Sequence, residues 1–349
     1  METNGALLQR VDAATGRPAL DHYTKFTRFD WDQVLNGVDL RGRRADAFGN
    51  EFILPELIHI SKIVNEQVFP ENTYAEAFAM APDMPAWYSK VYDYNDLTFS
   101  GTPVDETGEW SDPGVAVGIS RAPNLSPIRP IPVNYSVNIA ELAQFASIGQ
   151  NAMATKAIQA RRVVEQTFDL RAWYGNASLG IPGYASTTGI SRDTVPTVGG
   201  HTTWNSKTGE EIYNDCRLIY QAIITASNGV WIPDTLAVPL KLKGVLTKPF
   251  GTAGATWINT QKYIEMNLDV KIIYSVRLNT LTKDGATNGT GSVAMYKNGS
   301  DVMRNLIVRG YYELGPQQVG RTMTVYADGV SGGLVIPQPT ACALWDGVA

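Results

Sequence analysis

The sequence predicts an α+β fold organised around one very long helix, and three features of its patterning support this prediction. Residues 139–174 contain no proline and place apolar side chains at helical spacing. Helical and strand-like segments then alternate over 209–305, which indicates one α/β module. From 306 to 345 the pattern is that of strands, which predicts a second sheet beneath the long helix.

The N-terminal third of the chain has little regular patterning. Residues 1–50 are polar and weakly periodic, so we expect an extended arm, and 51–69 predict a short helix or strand. Eight of the 19 prolines lie between Pro82 and Pro132. Proline lacks a backbone donor, so this region disfavours helices and central strands. Because the strand-like pieces VYDYNDLTF and VAVGISR remain, we predict a long extended loop or hairpin there.

This extended region is too aromatic for plain disorder. We expect a neighbouring subunit to cover its large side chains, which are Trp87, Tyr88, Tyr92, Tyr94, Phe99 and Trp110.

The long helix has signals at both ends. Asn138 is a suitable N-cap with Glu141 three residues later, and Gly175 stands where a C′ glycine belongs. Gly149 is the one interior position that could kink the run. At about 1.5 Å per residue, 139–174 would span roughly 54 Å. We therefore expect a spine helix that lies across the molecule.

The segments after the spine helix supply the remaining elements. Residues 209–229 predict an amphipathic helix with acidic residues in its first turn and Gly229 after it. The next segments, DTLAVPLKLKGVL, WINTQKYIEMN and DVKIIYSVRL, predict a strand, a helix and a strand. The last segments, LIVRGYYEL, RTMTVYA and GGLVIPQP, predict strands.

Composition excludes several classes of protein. The 349 residues are 44% hydrophobic with a net charge of −5, which argues against a disordered chain and a dedicated nucleic-acid binder. No apolar run approaches the roughly 18 residues of a membrane span. Cys216 and Cys342 are distant in sequence, and we expect buried reduced thiols.

Two short motifs resemble catalytic or cofactor signatures but lack their context. GVSGG, 329–333, matches a nucleophile elbow around Ser331, yet a strand follows it and the three histidines (His22, His59 and His201) all precede it. We predict a hairpin turn there. GTGSVA, 289–294, resembles a dinucleotide fingerprint but precedes no helix.

The sequence offers no stronger chemical site. The acidic cluster at Asp105, Glu106, Glu109 and Asp112 lacks the spacing of a calcium loop. We expect no catalytic residue, no cofactor and no metal, and hence a structural protein instead of an enzyme.

The order of elements resembles a known family. An aromatic, proline-rich loop precedes a helix that begins near VNYSVNIAEL and ends near AWYGNASLGIPGYAS, and the chain closes with GGLVIPQPTACALWDG. Over roughly 50–349 this resembles the major capsid proteins of tailed bacteriophages with the Hong Kong 97-type fold. In one branch of that family, subunits end with a G-G-hydrophobic-hydrophobic-x-x-P stretch and a closing D-G.

The resemblance implies a division of the chain into parts. These are an N-terminal arm (1–50), the start of the peripheral domain (51–79), the extended loop (80–134), the peripheral domain with the spine helix (135–205), the axial domain (206–305) and the return strands of the peripheral domain (306–349).

The resemblance also implies a function and partners. Many copies would assemble as hexamers and pentamers into the icosahedral or prolate shell of a virion, made in the host cytoplasm. The shell would enclose double-stranded DNA without sequence-specific binding and without a membrane. Portal, scaffold and decoration proteins are further expected partners. The expected inter-subunit contacts are Trp87, Tyr94, Phe99 and Trp110.

Two departures from the family carry expectations. Some relatives join subunits by an isopeptide bond from a lysine in the extended loop, but no lysine lies from Val91 to Thr155. We expect no such crosslink, so denaturing gels of mature particles should show monomers and no covalent ladder. Because only a short arm follows Met1, we also expect a separate scaffold protein or none.

Three alternatives remain open at this point. An encapsulin-like compartment that holds an enzyme cargo would share the architecture. A serine hydrolase would use Ser331, and a serine-directed probe would detect it. A phage tail or baseplate component is the third, although such β-rich proteins seldom need a spine helix.

Overall fold

The computed structural model describes residues 70–100, 118–147, 151–251, 258–282, 289 and 291–348, without the side chains of 96–100 and 146–147. All of these residues belong to one compact unit, 67–349. The predicted arm, the segment 51–69, the acidic cluster and Gly149 lie outside the described residues.

Besides short 3₁₀ turns, the described elements comprise five α-helices and eleven strands. The helices are α1 (Tyr74–Ala77), α2 (Ile139–Ser147), α3 (Ala152–Trp173), α4 (Gly209–Ala226) and α5 (Thr260–Leu268). The strands are β1 (Val91–Ser100), β2 (Gly118–Pro127), β3 (Arg129–Asn138), β4 (Ser191–Thr194), β5 (Thr235–Pro239), β6 (Lys271–Ser275), β7 (Ser292–Tyr296), β8 (Arg304–Glu313), β9 (Gln317–Val319), β10 (Thr322–Val335) and β11 (Cys342–Asp346).

The strands form three sheets. β1 and β2 make an antiparallel hairpin by themselves, as the proline-rich region predicted. The second sheet has the order β3-β10-β8, with β9 also paired to β10, and all its pairs are antiparallel. The third has the order β4-β11-β7-β5-β6 and mixes parallel and antiparallel pairs.

The five-stranded sheet packs a core on each of its faces, and α4 and α5 cover one of them. Its inner strands β5 and β7 are buried at every position, as expected for strands covered on both faces. Helix α4 places Ile212, Cys216, Ile219 and Ile223 against this sheet at helical spacing. The predicted helix over 209–229 is confirmed, with a Thr208–Glu211 capping box and Gly229 at a φ of 80°.

The last strand differs from the expected arrangement. We predicted that the late strands would form a second sheet, and β8, β9 and β10 do so. β11, however, pairs between β4 and β7 in the five-stranded sheet. Sequence order does not reveal this partner, because β11 returns to strands distant in the chain.

The predicted uninterrupted helix over 139–174 is wrong. Helix α2 is described as far as Ser147, and α3 begins at Ala152 after Asn151, whose extended backbone (φ −102°, ψ 102°) interrupts the helix. The Asn151 Oδ1 atom accepts hydrogen bonds from the backbone N–H groups of Met153 (3.0 Å) and Ala154 (3.3 Å). Asparagine therefore caps a second helix where the apolar spacing suggested continuity.

Helix α3 still acts as the cover of the four-stranded sheet. Its residues Val164 and Phe168 pack against Ile131 of β3 and against Ile307 and Tyr311 of β8. At about 1.5 Å per residue, its 22 residues span roughly 33 Å. It ends as predicted, since Gly175 follows at a φ of 73° and donates its N–H to the Arg171 carbonyl at 3.0 Å.

The predicted hairpin turn at GVSGG is also wrong. Residues 329–333 lie inside β10, which runs for 14 residues with irregular register against β8. The glycines serve close contacts instead of a turn. Gly333 has a φ of 76°, and a Cβ there would lie 2.2 Å from the Pro182 carbonyl oxygen. Glycine inside a strand commonly marks such a bulge or close approach.

Candidate inter-subunit surfaces

The β1–β2 hairpin is largely uncovered beyond its base. Its ten residue pairs run from Val91–Pro127 at the base to Ser100–Gly118. Along β2, every residue from Gly118 to Pro123 is exposed. An isolated two-stranded hairpin is marginally stable in water, so this element needs further contacts.

The base of the hairpin is held by its own chain through Tyr92. This side chain is 5% exposed and packs with Ile128, Leu306 and Val330. Its hydroxyl donates to Asp83 Oδ1 (2.9 Å) and accepts from Arg304 Nη1 (3.1 Å). Burial raises the pKa of this phenol.

Two of the predicted contact residues lie near this base. Tyr94 stacks on Tyr92 with ring centroids 6.2 Å apart and packs, partly buried, against the same cluster. Trp87 precedes the hairpin and is 58% exposed. Among the described ring contacts, none joins Trp87 to Tyr94.

The other two predicted residues cannot be placed in the same way. The backbone of Phe99 pairs with Ile119 in the hairpin, but its side chain lies outside the description. Trp110 lies wholly outside the described residues.

Sequence reasoning missed Arg309, which organises the surface around Trp87. The Arg309 guanidinium lies 4.7 Å from the Trp87 ring centroid and 4.9 Å from that of Tyr312, so the two rings enclose it. It also forms an ion pair with Asp328. Tyr312 is 50% exposed.

A β-bulge explains why alternation could not reveal this cluster. In the pairing of β8 with β10, Tyr312 faces Asp328 and Arg309 faces Val330. A step of three residues along β8 thus matches a step of two along β10, and the extra residue turns Arg309 and Tyr312 to the same face. Strict alternation along β8 would place them on opposite faces.

The geometry of Ser331 does not suit a nucleophile. Ser331 is 1% exposed inside β10, and its Oγ accepts a hydrogen bond from the Gly333 N–H at 3.1 Å. A nucleophile elbow presents its serine at an exposed strand-to-helix turn.

Other chemical features of the described residues are structural. Cys216 and Cys342 are buried free thiols, as predicted, and burial raises the pKa of both. In the described ranges no three His, Cys, Asp or Glu side chains group as metal ligands would. None of the helices described above is long and apolar enough to cross a membrane.

Comparison with known proteins assigns the fold and the family. The chain is similar in structure to the capsid of Myoviridae phage XM1, with a TM-score of 0.73 and 14% identity over 86% of this chain and 100% of that chain. A Mycobacterium phage Ogopogo chain gives 0.56 and 15%, covering 83% of this chain and 96% of that one. A Gordonia phage Cozz chain gives 0.56 and 13%, covering 89% and 96%.

The likeness to the XM1 capsid confirms the predicted α+β fold of the Hong Kong 97 type. No curated protein sequence matches the chain. The family model described as major capsid protein matches residues 112–348, well over half of the chain. The chain therefore belongs to the major capsid protein family.

Proposed function

We propose that copies of this chain assemble as hexamers and pentamers into the closed icosahedral or prolate shell of a tailed phage, around double-stranded DNA. The observation that carries the proposal is the β1–β2 hairpin, which stands outside the main cores and exposes large apolar side chains. These include Ile119 at 66% and Leu125 at 69%. Extended limbs of this kind are stabilised by contacts with other copies, and many modest contacts add up in a closed assembly.

The proposed division assigns each range of the chain to a part of the subunit, with β4 and β11 of the peripheral ranges pairing in the five-stranded sheet of the axial range. Residues 80–134, with the hairpin, would overlap a neighbouring subunit. The peripheral domain would comprise 135–205 and 306–349, preceded by 51–79 and the arm 1–50. The axial domain, 206–305, would meet its copies at the centres of pentamers and hexamers.

Four aromatic residues of the extended region are the proposed anchors of these contacts: Trp87, Tyr94, Phe99 and Trp110. Tryptophan and tyrosine dominate the energetics of many interfaces. Trp110→Ala and Tyr94→Ala should therefore weaken assembly more than they weaken folding of the single chain, the second by loosening the hairpin on its own body, where Tyr94 packs. Assembly of both variants at the wild-type concentration would show that this region is not the clamp.

The proposed shell encloses DNA without gripping it. The net charge of −5 supports this, because strong binding to DNA requires many cationic contacts with phosphates. On α3, Arg161 is held 2.8 Å from Glu165, which neutralises part of its charge. Retention of the purified protein on DNA at about physiological salt would contradict this proposal.

We propose that the chain has a structural role and no enzymatic activity. Its family consists of structural shell proteins. Portal, scaffold and decoration proteins are the further proposed partners, with assembly in the host cytoplasm and a final location in the virion.

Electron microscopy of the purified, expressed chain tests the proposal. We expect closed shells built from five- and six-membered rings. Particles from the natural source should protect double-stranded DNA from nuclease. A protein cargo in place of DNA would instead support the encapsulin-like alternative, and a failure to assemble under all conditions would contradict both.

A further inference from the structure

The two faces of the β1–β2 hairpin have different chemistry. Successive residues of a strand point to opposite faces, and directly paired residues share a face. One face therefore carries Tyr92 and Tyr94 with Ser126 and Asn124, and we call it the tyrosine face. The opposite face, which we call the apolar hairpin face, carries Val91, Ile119, Pro123, Leu125 and Pro127, with Asp93, Asn95 and Arg121 among them.

The tyrosine face is bound by its own chain. Tyr92 lies in the cluster with Leu306 and Val330, and Tyr94 packs against that cluster. Contact with the body on this side turns the apolar hairpin face away from the body. The described residues of the same chain therefore cannot cover it without releasing Tyr92.

The apolar hairpin face is exposed at most of its described positions. Val91 is 47% exposed, Ile119 66% and Leu125 69%. At about 3.4 Å per residue, a ten-residue ribbon is roughly 34 Å long. A projecting apolar strip of this length is typical of a surface that binds another protein.

A rigid surface of complementary character lies on the four-stranded sheet. Helix α3 packs on the face that carries Ile131 and Ile307. The other face carries Arg309 between the rings of Trp87 and Tyr312, beside Asp328. We call this the aromatic patch, with Tyr88 and Tyr326 as its margins.

The aromatic patch has the properties of a binding centre. Trp87, Tyr88, Tyr312 and Tyr326 are 58%, 73%, 50% and 42% exposed. The Arg309–Asp328 pair and the ring contacts hold the side chains of Trp87, Tyr88 and Tyr312 in place before binding, which lowers the entropy cost of association. Tryptophan, tyrosine and arginine are also the residues enriched at interface hot spots.

We propose that the apolar hairpin face of one copy packs on the aromatic patch of a second copy. The inference rests on the proposed assembly into shells and adds the two surfaces that meet. A second copy is the occupant because every copy exposes both surfaces, and because the fixed tyrosine face prevents the hairpin from folding onto its own patch.

Matched substitutions test which face of the hairpin is buried. Leu125→Asp on the apolar face and Tyr312→Ala on the patch should each raise the protein concentration needed for half-maximal shell formation by at least about tenfold. Ser120→Asp is the control, since Ser120 is exposed on the same strand but lies on the tyrosine face. Circular dichroism of the unassembled chains should show equal folding of all variants.

Photo-crosslinking tests the pairing of the two surfaces directly. The photoreactive residue p-benzoylphenylalanine replaces Leu125, and shells are formed from a mixture of isotopically light and heavy chains. We expect mass spectrometry to find mixed-isotope crosslinks from position 125 to peptides that contain Trp87, Tyr88 or Tyr312. The same probe at Ser120 should not give them.

The outcomes separate this inference from the proposed function. Failure of the wild-type chain to form shells would overturn the proposed function and this inference with it. Normal shells from Leu125→Asp, equal damage by Ser120→Asp, or crosslinks from position 125 only to other surfaces would overturn this inference alone.

Discussion

At the scale of single residues, Gly329 shows how closely α3 lies on β10. A Cβ at this position would lie 2.6 Å from Val164 Cγ1 and 2.7 Å from Phe168 Cζ. Both neighbours are buried, at 0% and 2% exposure, and have little room to move. The absence of a side chain thus permits the packing of the helix on the sheet.

Replacing this glycine should loosen that packing. We expect Gly329→Ala to lower the free energy of unfolding by about 1–3 kcal/mol, because overpacking a core forces side chains or backbone to shift. Urea unfolding of the unassembled chain measures it. Gly310→Ala in β8 is the control, since nothing lies within 4 Å of a Cβ there. Equal stability of the two variants would contradict the packing described.

A second residue-scale feature is the buried ion pair below α4. Lys207 Nζ lies 2.7 Å from Asp215 Oδ2, and their side chains are 0% and 1% exposed. The same carboxylate accepts from Trp204 Nε1 at 2.9 Å, and Lys207 also donates to the Pro196 carbonyl. Burial raises the pKa of Asp215, while Lys207 acts to lower it.

Removal of Lys207 should produce a pH-dependent loss of stability. A carboxyl whose pKa is raised by folding favours the folded state most at low pH, and this contribution is lost as the pH rises through the folded pKa. Lys207→Met would raise that pKa further and should cost about 3–5 kcal/mol at neutral pH. We expect a smaller loss near pH 4, where an ordinary carboxyl is about half protonated.

Denaturant unfolding at the two pH values measures this loss. Adding Asp215→Asn to Lys207→Met should restore most of the stability, because the amide oxygen still accepts from Trp204 and no charge is left unpaired. An equal loss at both pH values, or no recovery in the double variant, would contradict this account.

At the scale of elements, Asp169 of α3 joins three parts of the fold. Its Oδ1 accepts from the N–H groups of Thr73 and Tyr74 at 3.1 and 3.0 Å, at the start of α1. Its Oδ2 lies 2.6 Å from Nε of Arg277, just after β6. The carboxylate therefore links α1, α3 and the five-stranded sheet.

Loss of this carboxylate should weaken the joint. We expect Asp169→Ala to cost about 3–5 kcal/mol in denaturant unfolding, since it leaves a largely buried Arg277 unpaired, and to speed hydrogen exchange of the Thr73 and Tyr74 amides. Glu76→Gln is the control on the same joint. Its ion pair with Lys271 is about 60% exposed and should be worth under about 1 kcal/mol. Similar losses for the two variants would count against this role.

Elements with local signals could be predicted from the sequence. Helix α4 carries its own cap and a closing glycine, and β1, β2, β5 and β6 were each marked by their pattern. Asn151 shows the limit of such signals, because an asparagine within a regular apolar run can be an interior residue or a cap. Only the extended backbone there shows that it is a cap.

Non-local pairings account for most of the features that the sequence did not predict. The place of β11 depends on β4 and β7, and the single strand β10 depends on glycines that fit Val164 and Pro182. At the candidate site, the exposed Trp87 could be foreseen as an aromatic in an open loop. Its partner Arg309 could not, since the bulge that aims it appears only when β8 pairs with β10.

At the scale of the whole molecule, the cores depend less on other copies than the hairpin does. Each main sheet buries an apolar face within the chain. The five-stranded sheet does so under α4 and α5, and the four-stranded sheet does so under α3. The hairpin buries only its base. We therefore expect the cores to fold in the unassembled chain and the hairpin to gain protection from hydrogen exchange on assembly.

Cryo-electron microscopy of particles formed by the wild-type chain is the most direct test of this account. It predicts a closed shell of pentamers and hexamers in which each hairpin lies on another copy, with Leu125 in contact across the boundary. A stable monomer that forms no particles, or a shell whose hairpins point into solvent, would contradict it.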